Sequence, residues 1–283
     1  MFSRTCSRIK TCSIMTQRKD FGMMSSADED ILRYSLVPDV ENGTLPYAEA
    51  FFTTKAVGRD PEMVCKKLGV GMQRFARPHQ VHGVVVRQIA EEFFALPERI
   101  RNMLLDGVDA VIYDVRNACI GISTADCIPV VCYDMKHHCA AAIHAGWRGT
   151  SERIAIRAIE MMAKAYGTRA EELKTVIGPG ISLQSFEVGE EVYNVFMEKG
   201  FDMTDCAERM LMAGGKGASS FDGIPWKWHI DLKKCNLKQL VAVGVSEENI
   251  IVSDVDTMTD LRCYSARREG AYTGRMLSGI ILR

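Results

Sequence analysis

The chain has 283 residues, a formal net charge of −1, 47% hydrophobic and 25% charged residues. That balance suits a folded globular protein and argues against an electrostatic nucleic-acid binder, which needs a basic stripe. It also argues against a membrane helix, because no apolar run approaches the roughly 20 residues of a span.

Residues 1–24 (MFSRTCSRIKTCSIMTQRKDFGMM) carry Arg4, Arg8, Lys10, Arg18 and Lys19 before the first acidic residue, Asp20. A basic, Ser-rich, acid-poor start resembles an organelle transit peptide. With no apolar moment it reads instead as a disordered extension or an early start, with Met15, Met23 or Met24 as alternatives. Residues 25–283 are expected to form a single domain without repeats. TLPYAEAFFT (44–53) leads to Asp60-Pro61, which predicts a helix over PEMVCKKLGV with Asp60 as its cap and Pro61 at its first position. VVVRQIA (84–90) is a strand after the turn residues of HQVHG, and 91–106 is a helical or irregular connection. VDAVIYD, ACIGIS and IPVVCYD follow as three strands with short connections, which implies antiparallel pairing, since parallel neighbours need a long crossover. HCAAAIHA comes after the polar turn DMKHH and predicts a hairpin with IPVVCYD. One long helix is expected from about Thr150 to Ala165, then TVIGPGI as strand and turn. VGEEVYNVFMEKG and DLKKCNLKQLVAVG read as amphipathic helices closing at Gly, and IIVSD as a late strand. Strands grouped early and helices interleaved later predict an α+β fold: a single layered domain of mixed, largely antiparallel β-sheet packed with helices.

The 10 cysteines are scattered without a Cys-x-x-Cys pair, and Cys119, Cys132 and Cys139 lie in apolar runs. Such thiols pack as small hydrophobes and suit a reducing, cytoplasmic setting. Cys127 and His144 are different, because they occupy ends of the two hairpin strands that antiparallel pairing brings side by side. His82, in RPHQVHG, sits in a turn before another strand. One thiolate and two imidazoles on strand ends suit zinc, with a fourth position left open. The same pair also reads as a nucleophile and its base, or as core residues satisfied by hydrogen bonds.

QVHG (80–83), TADCIPV (124–130), HAGWRG (144–149) and FEVGEEV (186–192), with RR and TGR near the C-terminus, resemble the YfiH-type laccase-domain family, also named multicopper polyphenol oxidases. The resemblance covers residues from about 70 to 283. It implies a His-Cys-His metal site on His82, Cys127 and His144, holding Zn2+ with copper as the alternative. It implies phosphorolysis of adenosine, inosine and S-methyl-5′-thioadenosine, with adenosine deamination as well. The partners are then purine nucleosides and phosphate, with no nucleic acid or membrane, and an open oligomeric state. Some relatives are described as peptidoglycan-editing factors, so a Cys-His amidase is the other enzymatic reading. Val255 stands where the family often has Cys, and Ala266 replaces the Tyr before RR, while all three ligand positions are retained. The multicopper name sits badly with the ligand supply, since several coppers need roughly ten imidazoles and the chain has 6 histidines.

Phosphorolysis requires phosphate held beside the ribose, and arginine forks suit it; Arg148, Arg267, Arg268 and Arg275 are the candidates. Deamination requires activated water and a carboxylate that shuttles protons. Asp126, beside Cys127, is the nearest carboxylate, either in that catalytic role or as a turn-forming support. Gln80 shares a face with His82 in an extended segment and is a candidate substrate or supporting contact. Trp147, Trp226 and Trp228 read as packing residues and GGKG (214–217) as a loop, since no GK[ST] follows.

Overall fold

Strands as apolar as IPVVCYD and CAAAIHA leave no face for solvent, and both of their faces are covered. The computed structural model describes residues 22–23, 30–37, 48–211 and 226–283. The extension expected over 1–24 (Gly22 and Met23 apart) and the 214–217 loop lie outside the described residues.

The first strands are β1 (Gly22–Met23), β2 (Ile31–Ser35), β3 (Ala48–Thr53), β4 (Phe75–Ala76) and β5 (Val86–Ile89). Next come β6 (Ala110–Tyr113), β7 (Ala118–Thr124), β8 (Ile128–Asp134), β9 (Cys139–Ala145) and β10 (Leu173–Ile177). The last are β11 (Glu187–Val188), β12 (Ala207–Leu211), β13 (Trp226–Ile230), β14 (Ile250–Val252) and β15 (Met276–Leu282). The helices are α1 (Pro61–Leu68), α2 (Glu91–Ala95), α3 (Glu98–Leu104) and α4 (Trp147–Ser151). They continue with α5 (Ile154–Tyr166), α6 (Glu190–Glu198), α7 (Leu232–Ala242) and α8 (Ala266–Glu269).

Two six-stranded sheets form, ordered β1-β2-β3-β15-β7-β4 and β14-β10-β8-β9-β6-β5, beside a small β11-β13-β12 sheet. Strand periodicity sorts the side chains into layers. Val131, Tyr133, Ala140 and Ala142 of the second sheet meet Phe52, Ile120, Ile122 and Ile280 of the first in one core. Their sequence neighbours Val130, Cys132, Ala141 and Ile143 face α5 and α7 through Ile154, Ala158, Met162 and Leu240. The outer face of the first sheet, with Phe51, Cys119 and Leu277, is closed by Val64 and Leu68 of α1. The fold is thus a mixed, largely antiparallel, layered α+β arrangement.

The α1 helix starts as its sequence dictates, with the Asp60 carboxylate accepting from Met63 N–H and Pro61 at the first position. The β8–β9 hairpin also forms, with Ile128 opposite Ala145 and Asp134 opposite Cys139. ACIGIS corrects the expected neighbour pairing: β7 lies in the first sheet between β15 and β4, while β6 and β8 lie in the second. A short connection there crosses between stacked sheets instead of reversing within one. VVVRQIA pairs parallel with VDAVIYD, because α2 and α3 supply a crossover. The single long helix expected from Thr150 is broken, since Arg153 takes a left-handed φ of 60° between α4 and α5.

Candidate metal centre

The hairpin register puts Pro129 opposite His144, so Cys127, two residues before Pro129, lies beside the end of β9. The turn that carries His82 is folded onto the same place by one residue, Asp109. Its carboxylate is fully buried and accepts from Gly83 N–H at 2.7 Å, His82 N–H at 3.0 Å and Val81 N–H at 3.3 Å. His82 itself has a left-handed φ of 62°, a conformation that these bonds hold in place.

The same carboxylate accepts from His144 Nδ1 at 2.8 Å. That bond fixes the proton on Nδ1 and leaves Nε2 to face Cys127 and His82. The donor atoms of His82, Cys127 and His144 all lie within 4.8 Å of one another, and the two imidazole rings meet edge to face at 4.9 Å. Gly146 makes the approach possible: a Cβ there would stand 3.0 Å from Cys127 Sγ and 3.3 Å from His82 Cδ2.

Burial pushes the Cys127 thiol up, but the charge and hydrogen bond of His144, and then those of His82, bring it down to about 6. Burial lowers His144, yet the thiolate and Asp109 raise it to about 9. Burial likewise works against the Asp109 carboxylate, which the His144 ring and the Gly83 N–H hold below its ordinary range. A thiolate and two imidazoles, one of them oriented by a carboxylate, form a donor set that fits a zinc-type cation. A second cluster, Asp134, His137 and Glu172, sits at the far end of the same hairpin. There Asp134 caps the turn through Lys136 N–H and His137 N–H and binds the His137 ring at 2.7 Å.

Cys127 and His144 line a cavity of about 1310 Å³ together with His82 and Gln80. Arg59, Arg77, Arg99, Arg267 and Arg275 reach its wall, against the carboxylates Glu98, Asp106 and Asp126. Asp106 binds the His79 ring at 2.7 Å. The Asp126 carboxylate accepts from Thr257 Oγ1 at 2.7 Å, Ser265 Oγ at 3.1 Å and Arg267 N–H at 2.7 Å. It therefore ties the Cys127 turn to the C-terminal segment, the supporting role weighed for it above. The Gln80 amide is closed onto the Ser123 backbone, donating to its carbonyl at 2.9 Å and accepting from its N–H at 2.7 Å.

The arginines divide. Arg267 lines the cavity beside Phe186 and donates to Glu187 O at 2.8 Å, and Arg275 also reaches the wall. Arg148 is not among the lining residues; it is exposed and lies over the Trp147 ring at 4.3 Å. Arg268 does not line the cavity either, because its guanidinium donates to the carbonyls of Thr257, Met258, Asp260 and Cys263. Both are corrections to the phosphate candidates. Sequence reasoning missed Asp109, Arg59, Arg77 and Arg99; for Asp109 the available signal is a carboxylate at the head of an otherwise apolar strand, VDAVIY.

The fold is a layered α+β domain in which a thiolate and two imidazoles, a donor set of the kind that suits a single cation, line an arginine-rich cavity. Residues 53–283 match the family described as multi-copper polyphenol oxidoreductase laccase, and the chain belongs to that family. It is 41% identical over 206 residues, 72% of each chain, to a purine nucleoside phosphorylase of Bacteroides thetaiotaomicron. It is 36% identical over 215 residues to adenosine deaminase RL5 of an unknown prokaryotic organism, covering 76% of this chain and 77% of that one. Among solved structures, YlmD of Geobacillus stearothermophilus superposes with a TM-score of 0.74 at 21% identity, over 93% of this chain and 99% of that one. YfiH of Bacillus licheniformis gives 0.71 at 23% identity, over 83% and 93%. Among the described residues no helix is long and apolar enough to cross a membrane.

Proposed function

We propose that the protein is a metal-dependent purine nucleoside phosphorylase acting on adenosine, inosine and S-methyl-5′-thioadenosine, with adenosine deaminase activity. The observation that carries this reading is the union of a thiolate–imidazole donor set with arginines on one cavity wall, in a chain whose relatives bear both names. His82, Cys127 and His144 would hold Zn2+, or copper, with Asp109 fixing the His144 tautomer. A cation held there supplies Lewis acidity for charge that develops on the purine or on an attacking water.

The residues of the chain do the remaining work. The Phe186 ring, backed by Arg267, offers a face for a base, and the arginine wall attracts phosphate. In phosphorolysis a phosphate oxygen bonds to ribose C1′ as the C1′–N9 bond breaks. The electron pair passes to the purine, which then takes up a proton. Asp126, with both oxygens already accepting hydrogen bonds, acts by holding the Cys127 turn.

Chromatography of inosine incubated with the protein tests the reading. Hypoxanthine and ribose 1-phosphate should form only with phosphate present, and Cys127→Ala should abolish both. Release of base without phosphate, or no turnover of any of the three nucleosides by metal-loaded protein, would refute it. A second reading has an observation of its own. Cys127, His144 and Asp109 stand in the order nucleophile, base and orienting carboxylate, which is the arrangement of a Cys-His amidase. Tight stoichiometric metal on the thiolate counts against that reading.

A further inference from the structure

None of the five arginines on the cavity wall forms an ion pair among the described residues, and two of them, Arg59 and Arg77, lie together. Arg77 is half-buried, and its Nη1 donates to the Arg59 carbonyl oxygen at 3.1 Å. Neither guanidinium pairs with a carboxylate among the described residues, although twelve other arginine and lysine side chains do form such ion pairs. Burial, and then the neighbouring charge of Arg59, push Arg77 below its ordinary guanidinium range. Two like charges brought together and partly desolvated repel each other, and an anion between them removes the penalty.

A third arginine stands beside them. Gly58, next to Arg59, packs on the Arg275 main-chain oxygen, where an added Cβ would lie at 3.5 Å. Arg275 holds its own fork rigid by donating to Thr273 O, Gly274 O at 3.0 Å and Ala271 O at 2.9 Å, and it reaches the same cavity. The wall therefore comes from three separate chain segments, residues 58–59, 77 and 271–275.

We infer that Arg59 and Arg77, with Arg275 beside them, form a tetrahedral-oxyanion site that takes inorganic phosphate as co-substrate. The assignment rests on the phosphorylase reading; it keeps Arg275 among the candidates and puts Arg59 and Arg77 in place of Arg148 and Arg268. The guanidinium forks of Arg59 and Arg77 match the edges of phosphate and leave one oxygen free for the ribose, while Arg275, whose fork is held by backbone carbonyls, adds positive charge. Two of the three carboxylates on the same wall, Asp106 and Asp126, are engaged by His79, Thr257 and Ser265, and the five arginines outnumber all three.

The test is titration of the full-length, metal-loaded protein with inorganic phosphate by calorimetry, alongside Arg59→Gln, Arg77→Gln and Arg77→Lys. Arg169→Gln, a surface variant paired with Glu171, is the control. Affinity for phosphate should fall about 10- to 100-fold in the first two variants. Arg77→Lys should recover only part, because an ammonium keeps the charge and loses the fork. Because Arg59 is exposed, its variant folds even if Arg77→Gln does not. Phosphate binding unchanged in Arg59→Gln and Arg77→Lys, or wild-type protein that binds no phosphate, overturns the site. Nucleoside turnover read in parallel separates the two failures. Phosphate bound through these arginines without inosine cleavage sinks the phosphorylase reading alone. Phosphorolysis with an unaltered phosphate KM in both variants sinks the site alone.

Discussion

Asp109→Asn is the substitution that bears most directly on the centre. The carboxylate is an acceptor at both oxygens: Oδ1 takes His144 Nδ1–H at 2.8 Å and His82 N–H at 3.0 Å, and Oδ2 takes Gly83 N–H at 2.7 Å and Val81 N–H at 3.3 Å. An amide of the same shape keeps one acceptor and puts an NH2 in place of the other. If its oxygen stays with Gly83, the NH2 faces two donors. His144 then relieves the clash by moving its proton to Nε2, the nitrogen needed as a ligand. Metal affinity should fall about 10- to 100-fold, the usual cost of losing a carboxylate behind a histidine ligand. Stability of the metal-free protein should fall by roughly 2 kcal/mol for the lost charged hydrogen bonds. Competition with a chromophoric chelator measures the first quantity and chemical denaturation the second. Asp134→Asn serves as the comparison, since Asp134 makes the same kind of bond to His137 at 2.7 Å at the other end of the hairpin. It should lower stability and leave affinity unchanged. Equal metal affinity in Asp109→Asn and wild type would refute the tautomer argument.

Three further outcomes follow from the same geometry. Gly146→Ala places a methyl 3.0 Å from Cys127 Sγ, so metal affinity should drop about tenfold or more with a smaller change in melting temperature, read by the same chelator competition. In metal-free protein Cys127 titrates near 6; because only the thiolate reacts, its alkylation should rise with pH through about 6 and level off by neutrality. An alkylation profile for Cys127 that still climbs above pH 8, as for an ordinary thiol of about 8.5, would contradict the paired thiolate. Arg268→Gln removes donors from the carbonyls of Thr257, Met258, Asp260 and Cys263 and should destabilise by about 2–3 kcal/mol. The KM for nucleoside should stay as in wild type, measured well below the melting transition.

What the sequence discloses about this fold is what lies close along the chain. The β8–β9 hairpin is legible because a polar turn separates two apolar runs of equal length, and its register alone brings Cys127 to His144. The same local logic misreads β7, since a short connection fits a reversal within one sheet as well as a step between two stacked sheets. The strand β15 escapes for a related reason. MLSGIIL has no neighbour in sequence to pair with, and it gains its place between β3 and β7 only from residues far upstream. Asp109 shows the limit most clearly: its partner His144 is 35 positions away, and three backbone donors arrive from a turn that no periodicity marks. Arg148 shows the opposite error. Adjacency to His144 in HAGWRG suggests a shared site, but α4 begins between them and carries the guanidinium out over Trp147.

The histidines decide what the family name can mean for this chain. Four of the 6 are engaged elsewhere: His79 with Asp106, His137 with Asp134, His138 with the Tyr133 hydroxyl and His229 with Leu183 O. Only His82 and His144 converge on Cys127, and the second cluster, around Asp134, contains one imidazole. Several coppers exchanging electrons would need multiple imidazoles around neighbouring sites. One thiolate and two imidazoles suit a single cation with an open position. The surroundings agree with that count, because a cavity wall of five arginines against three carboxylates favours anions over a cluster of cations. A candidate cation site beside such a wall suits Lewis-acid chemistry on an anionic reactant better than electron exchange among several coppers.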